Sequence, residues 1–176
     1  MVFYYAAAIL DLWLAAVRAV GHPTRMFRFL GGAWRALPGD LMGLTVMLGC
    51  GIRTPSRLVS AADVSVVLVE NPRVGRYLAV QKMPVQAQTL GRYVFARSRI
   101  PEHTLEHEIE HIRQWKRFGP LYLPLYFGVS AAAFLRGRRP YWDNGFEVAA
   151  RSRADRFMTA RPEEMNSNAS SLNARN

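Results

Sequence analysis

Cysteine is almost absent from this chain: the only one, Cys50, sits in the apolar run LMGLTVMLGCGI. A lone cysteine excludes an internal disulfide and any cysteine-built zinc site, so a metal would have to be held by histidines and carboxylates. Cys50 itself reads as a small buried hydrophobe. Lysine is nearly as scarce, at Lys82 and Lys116, so arginine carries almost all of the formal charge of +10. The arginines are spread along the chain and accompany none of the usual nucleic-acid reading modules, so nucleic acid is not an expected partner. Charge is missing altogether from Phe118 to Leu135 (FGPLYLPLYFGVSAAAFL). That run is at the lower length limit for a spanning helix and contains Pro120, Pro124 and Gly128, so it reads as a buried or interfacial segment. The start, MVFYYAAAILDLWLAAVRAV, lacks a basic stretch ahead of its apolar residues and has Asp11 among them. A cleaved signal peptide is therefore not expected, and the expected location is the cytoplasm, with peripheral membrane contact left open.

What is present suffices for one folded unit, since 176 residues, 50% of them hydrophobic, can fill a core. Three stretches differ in character. Residues 1–60 are apolar and helical in pattern, 61–161 hold the candidate chemistry, and 162–176 (PEEMNSNASSLNARN) have too few large apolar side chains to offset their ordering entropy and are expected to be disordered. In the first stretch, Ile9, Leu10, Trp13, Leu14 and Val17 form a helical stripe within Tyr4–Val20. A short amphipathic segment follows from Met26 to Arg35, and Pro38-Gly39-Asp40 reads as a loop. Further on, the β-branched run Val64–Glu70 ends at Asn71-Pro72 and is followed by Gly75–Gln81, which together read as a hairpin. Arg92–Arg97 (RYVFAR) reads as a third strand.

Glu102–Arg117 (EHTLEHEIEHIRQWKR) has no Gly or Pro, starts after Pro101 and stops before Gly119-Pro120, so it reads as a helix. At 100° per residue, Leu105, Ile109 and Ile112 share one side, and His103, His107, His111 and Gln114 share the other. The histidine side contains HEIEH, an H-E-x-x-H pattern in which two imidazoles one turn apart can reach a single tetrahedral ion. Glu108, about a quarter turn away, is kept off the metal yet within reach of a water there, the position a general base needs.

Two histidines need a third protein ligand, and a catalytic site leaves the fourth position open. Arg117 stands where a third histidine would follow in the longer H-E-x-x-H-x-x-G-x-x-H scheme, so that scheme fails. The next carboxylates are Asp143 and Glu147. Tyr141–Phe157 (YWDNGFEVAARSRADRF) reads as a loop through Asn144-Gly145 into a helix, with Glu147 projecting from the first turn. Glu147 is the preferred ligand and Asp143 the alternative. Tyr141 and His103 are candidate donors to a developing oxyanion. Glu106 and Glu110, turned away from the histidines, are expected to support the site or to be solvated.

HEIEHIRQW, followed by the apolar FGPLYLPLYF and then DNGFEVAAR, resembles the small bacterial gluzincin-type zinc metallopeptidases over Gln88–Arg156. The resemblance implies zinc held by His107, His111 and Glu147, with Glu108 as base. It also implies that RYVFAR is the strand lining the cleft and pairing with an extended substrate.

The expected fold is therefore α+β: N-terminal helices, a small sheet within residues 63–97, a zincin-like helix bearing the histidines and a C-terminal helix bearing the glutamate. The expected function is zinc-dependent hydrolysis of a peptide or protein substrate. Two rivals stand beside it. One is hydrolysis of another amide or ester at the same site. The other is a non-enzymatic membrane-associated or regulatory protein that retains the zinc site for structure.

Overall fold

In a computed structural model, residues 23–61, 63–79 and 85–173 are described, with side chains described between residues 35 and 160. The helix expected over Tyr4–Val20 lies outside these residues. The architecture is α+β, a mixed four-stranded sheet packed with helices. In chain order the elements are α1 (Pro23–Gly49), β1 (Arg57–Ala61), β2 (Val64–Glu70), α2 (Val74–Ala79), β3 (Ala87–Leu90), β4 (Tyr93–Ala96), α3 (Glu102–Phe118), a 3-10 turn (Gly119–Leu121), α4 (Tyr122–Leu135) and α5 (Gly145–Asn173).

The sheet runs β1-β2-β4-β3, with β1 and β3 antiparallel to their neighbours and β2 parallel to β4. Side chains alternate across a strand, so β2 and β4 feed two apolar clusters. Val64, Val66, Leu68, Val94 and Ala96 pack with Ile109 and Ile112 of α3. Val69 and Phe95 pack on the opposite face with Val74 and Leu78 of α2 and with Met47 and Ile52 from the end of α1 and beyond. Leu44, Val46, Met47 and Ile52 thus share a core with the region that follows them, and Cys50, half-buried, packs against it.

Two local expectations are corrected. Gly75–Gln81 is not the second strand of a hairpin: Val74–Ala79 forms α2, and the antiparallel partner of β2 is Arg57–Ala61. Apolar residues four apart satisfy both strand and helix periods, and here Val74 and Leu78 are buried on one helical side. Asn71 favours the helix by accepting a hydrogen bond from the Arg73 N–H at 3.0 Å while its carbonyl accepts from Val74. The second correction concerns Pro38-Gly39-Asp40, which lie inside α1, not in a loop. Gly39 is there for contact: a Cβ on it would stand 2.7 Å from the Gly91 Cα, where α1 crosses the β3–β4 turn. Asp40 anchors the crossing, accepting from the Arg92 N–H and from its Nε, each at 2.9 Å. The backbone of α5 is helical through Asn173, and residues 174–176 of the stretch expected to be disordered lie outside the described residues.

The uncharged run forms the 3-10 turn and α4, and most of it is exposed. Among the described residues, Glu102–Leu135 is the one helical stretch long and apolar enough to cross a membrane by length and composition, and 17% of its apolar window is buried. Gly119, at φ 56°, and the 3-10 turn break it between α3 and α4.

Candidate metal centre

α3 presents Ile109 and Ile112 to the sheet, and its opposite side turns His107 and His111 toward α4 and α5. α5 starts after Asn144, which is fully buried. The Asn144 Oδ1 accepts from the Phe146 N–H at 2.9 Å, as a helix-capping side chain does, while its Nδ2 donates to the Tyr126 carbonyl at 3.0 Å and the Ser130 hydroxyl at 2.7 Å. One residue therefore fixes both the start of α5 and its seat on α4. Glu147, in the first turn of α5, is aimed at the two histidines.

The three groups meet closely. His107 Nε2 and His111 Nε2 are 3.1 Å apart, and the two Glu147 carboxylate oxygens lie 3.3 Å from one ring nitrogen each. One ligand atom from each residue lies within 4.8 Å of the other two, close enough to reach one ion, with a different Glu147 oxygen facing each ring. Glu147 Oε2 is buried and, short of a well-formed hydrogen bond, faces His107 Nε2 at 3.3 Å and the Arg151 guanidinium at 3.9 Å. The residues fit a metal ion.

Polar groups behind the cluster orient these side chains. His111 Nδ1 faces Gln114 Oε1 at 2.9 Å and the Tyr122 hydroxyl at 3.0 Å. A proton on Nδ1, donated to Gln114, leaves the Nε2 lone pair free to ligate. Gln114 Nε2 in turn donates to the Phe146 carbonyl at 3.0 Å, tying the ligand helix to the start of α5. The Tyr126 hydroxyl donates to Glu147 Oε1 at 2.7 Å.

The electrostatics favour a positive occupant. Burial works against a charged His111, but contact with Glu147 and the nearby charge of Glu108 outweigh it, and its pKa is raised. Burial also pushes the Glu147 carboxyl up, yet the His107 and His111 rings and the Tyr126 hydroxyl hold it well below the usual carboxylate range. Tyr122, Tyr126 and Tyr141 are pushed up, first by burial and then by the Glu147 charge, so all three stay protonated donors.

The cluster opens into a cleft of about 400 Å³, lined by His107, Glu108, His111, Tyr141 and Glu147 and, along one wall, by β3. Glu108 is buried, and its Oε2 accepts from the Thr89 hydroxyl of β3 at 2.7 Å. β4, expected to line the cleft and pair with substrate, cannot do so: β2 and β3 occupy both of its edges. β3 ends the sheet and lines the cleft.

Of the other residues singled out by sequence, Tyr141 lines the cleft beside Glu147. His103 does not; it is exposed and paired with Asp155 at 3.0 Å. Asp143 is turned away, accepting from the Arg139 N–H at 2.9 Å and lying 3.5 Å from its guanidinium. Glu110 pairs with Arg113 at 3.4 Å, and burial raises the pKa of Glu106. The supporting residues Thr89, Tyr122, Tyr126 and Asn144 had no motif to announce them. Two tyrosines one turn apart in an otherwise uncharged helix are the signal that Tyr122 and Tyr126 offered.

Compared with protein-family models, with curated proteins and with solved structures, the chain matches none.

Proposed function

We propose that this protein is a zinc-dependent hydrolase, a gluzincin-like metallopeptidase acting on a peptide or protein substrate. The observation that carries the reading is the convergence of His107, His111 and Glu147, their ligand atoms within 4.8 Å of one another, in a cleft that also holds a separate carboxylate, Glu108. When bound, zinc supplies Lewis acidity, polarising the scissile carbonyl and making water a better nucleophile at neutral pH.

The chain's own groups do the rest. Glu108 takes the proton from the attacking water and delivers it to the leaving amine, with the Thr89 hydroxyl fixing the carboxylate's orientation. Tyr141, held protonated, donates toward the oxygen that gains charge in the transition state. β3, at the end of the sheet, offers backbone groups along which an extended peptide can lie. In this reading the protein works in the cytoplasm in peripheral contact with a membrane.

Metal analysis of purified protein tests the centre, with about one zinc per chain expected. A peptide library set against an ester panel then tests the reaction. Absence of zinc after reconstitution at neutral pH overturns the proposal, and turnover of esters alone moves it to a non-peptidase hydrolase.

A further inference from the structure

α4 is apolar all round, yet only one of its sides is engaged. Tyr122, Tyr126, Ser130 and Ala133 fall within about a quarter turn of one another, at 100° per residue. Of these, Tyr122 and Ala133 are buried, and Tyr126 and Ser130 hold the Asn144 loop and Glu147. Away from that stripe, between about a quarter and a half turn round the helix from its centre, lie Phe127, Phe134 and Leu135, which are 64%, 67% and 83% exposed, and Leu121 of the 3-10 turn adds a fourth large apolar side chain at 63%. Single exposed apolar residues are ordinary, but four on one contiguous helical unit call for an occupant.

Charge identifies it. From His111 to Trp142 the sequence has no acidic residue, and exposed arginines stand at both ends of the face: Arg117 before it, and Arg136, Arg138 and Arg139 directly after it. Asp143, just beyond, is already paired with Arg139. Trp142, half exposed, sits on the same rim beneath the Arg151 guanidinium. A second copy would bring basic rims with no acid to receive them, and residues 1–22 contain a single acid, Asp11. An anionic bilayer surface offers both acyl chains for the apolar side and phosphates for the arginines.

We infer that the outer side of α4, with Leu121 and the Arg136–Arg139 rim, docks this protein on an anionic membrane surface. The mode is interfacial. α4 has 14 residues, about 21 Å of helix against a hydrocarbon core of about 30 Å, and its inner side is committed to the metal cluster. Phe127 belongs both to this face and to the cleft wall, so docking brings the mouth of the cleft to the bilayer. The inference rests on the peripheral membrane contact proposed above and is independent of hydrolysis.

Flotation of the full chain with phosphatidylcholine vesicles, with and without phosphatidylglycerol, tests it. The parent should float with the anionic vesicles, less with neutral ones, and less as salt rises. Phe134→Asp with Leu135→Asp, and separately Arg136→Glu with Arg138→Glu and Arg139→Glu, should each lower vesicle partition about tenfold or more. All of these side chains are exposed, so circular dichroism should be unchanged, and Glu108→Gln should float like the parent. If both α4 variants float like the parent, the contact lies elsewhere in the chain and this face is wrongly assigned, while peripheral contact itself stands. If the parent floats with no vesicles, both fall. A parent dimer that Phe134→Asp with Leu135→Asp makes monomeric assigns the face to a second copy and overturns the inference.

Discussion

Four positions separate Asp143 from Glu147, and the chain uses them in opposite ways. Asp143 closes the loop by binding Arg139 on the outside, whereas Glu147 enters the cluster with both oxygens. Glu147→Ala should therefore weaken zinc affinity by more than the 10- to 100-fold typical of losing a supporting partner, while Asp143→Ala leaves it nearly unchanged, as titration with a chromophoric chelator would read. Glu108 makes a different prediction. Its carboxylate is held by Thr89 and is not a ligand, so Glu108→Gln should keep about one zinc and lower kcat by about 10²-fold or more on whatever peptide is turned over. Equal activity in the variant removes Glu108 from the mechanism; loss of zinc moves it into the ligand set. At this scale the sequence was readable where chemistry needs a fixed spacing. Two histidines at i and i+4 declare themselves, but Thr89 and Tyr126 reach Glu108 and Glu147 only through the fold, with no spacing rule to announce them.

The elements were legible where a single period dominates and illegible where contact overrides propensity. α3 follows from its stripe of Leu105, Ile109 and Ile112, and β2 from its β-branched run ending at Asn71-Pro72. α1 does not follow, because Pro38-Gly39-Asp40 looks like a turn until the partner at Gly91 is known. Gly91 combines a positive φ of 59° with a virtual Cβ only 2.3 Å from the Gly39 carbonyl carbon. Gly137, at φ 68°, has the same handedness and open space around it. Gly91→Ala should thus cost the left-handed strain plus overpacking, about 3 kcal/mol in all, and Gly137→Ala only the strain, about 1 kcal/mol. Chemical denaturation of the two variants separates these terms. Equal losses would mean that α1 gives way at the crossing without cost.

At the scale of the whole molecule, the cluster joins parts of the chain that nothing local connects. His107 and His111 belong to α3, packed on the sheet, whereas Glu147 belongs to α5, which is held to α3 by Gln114 and to α4 by Asn144. A metal bound by all three ligands binds the folded chain far better than the unfolded one, so its binding energy is added to folding stability. At free zinc about a thousandfold above the dissociation constant, the gain is about 4 kcal/mol. With about 2–4 °C of melting temperature per kcal/mol for a chain of this size, chelation should lower the melting point by about 8–16 °C. The same comparison separates the roles of the carboxylates without any activity assay. Glu108→Gln should show the full shift between zinc and chelator, because it removes no ligand. Glu147→Ala should show about a third of the shift or less, because a loss of 100-fold or more in affinity leaves at most about 1.4 kcal/mol of gain from the metal. A parent whose melting point ignores chelation, or a Glu147→Ala variant that keeps the whole shift, would mean that α3 and α5 meet without a metal between them.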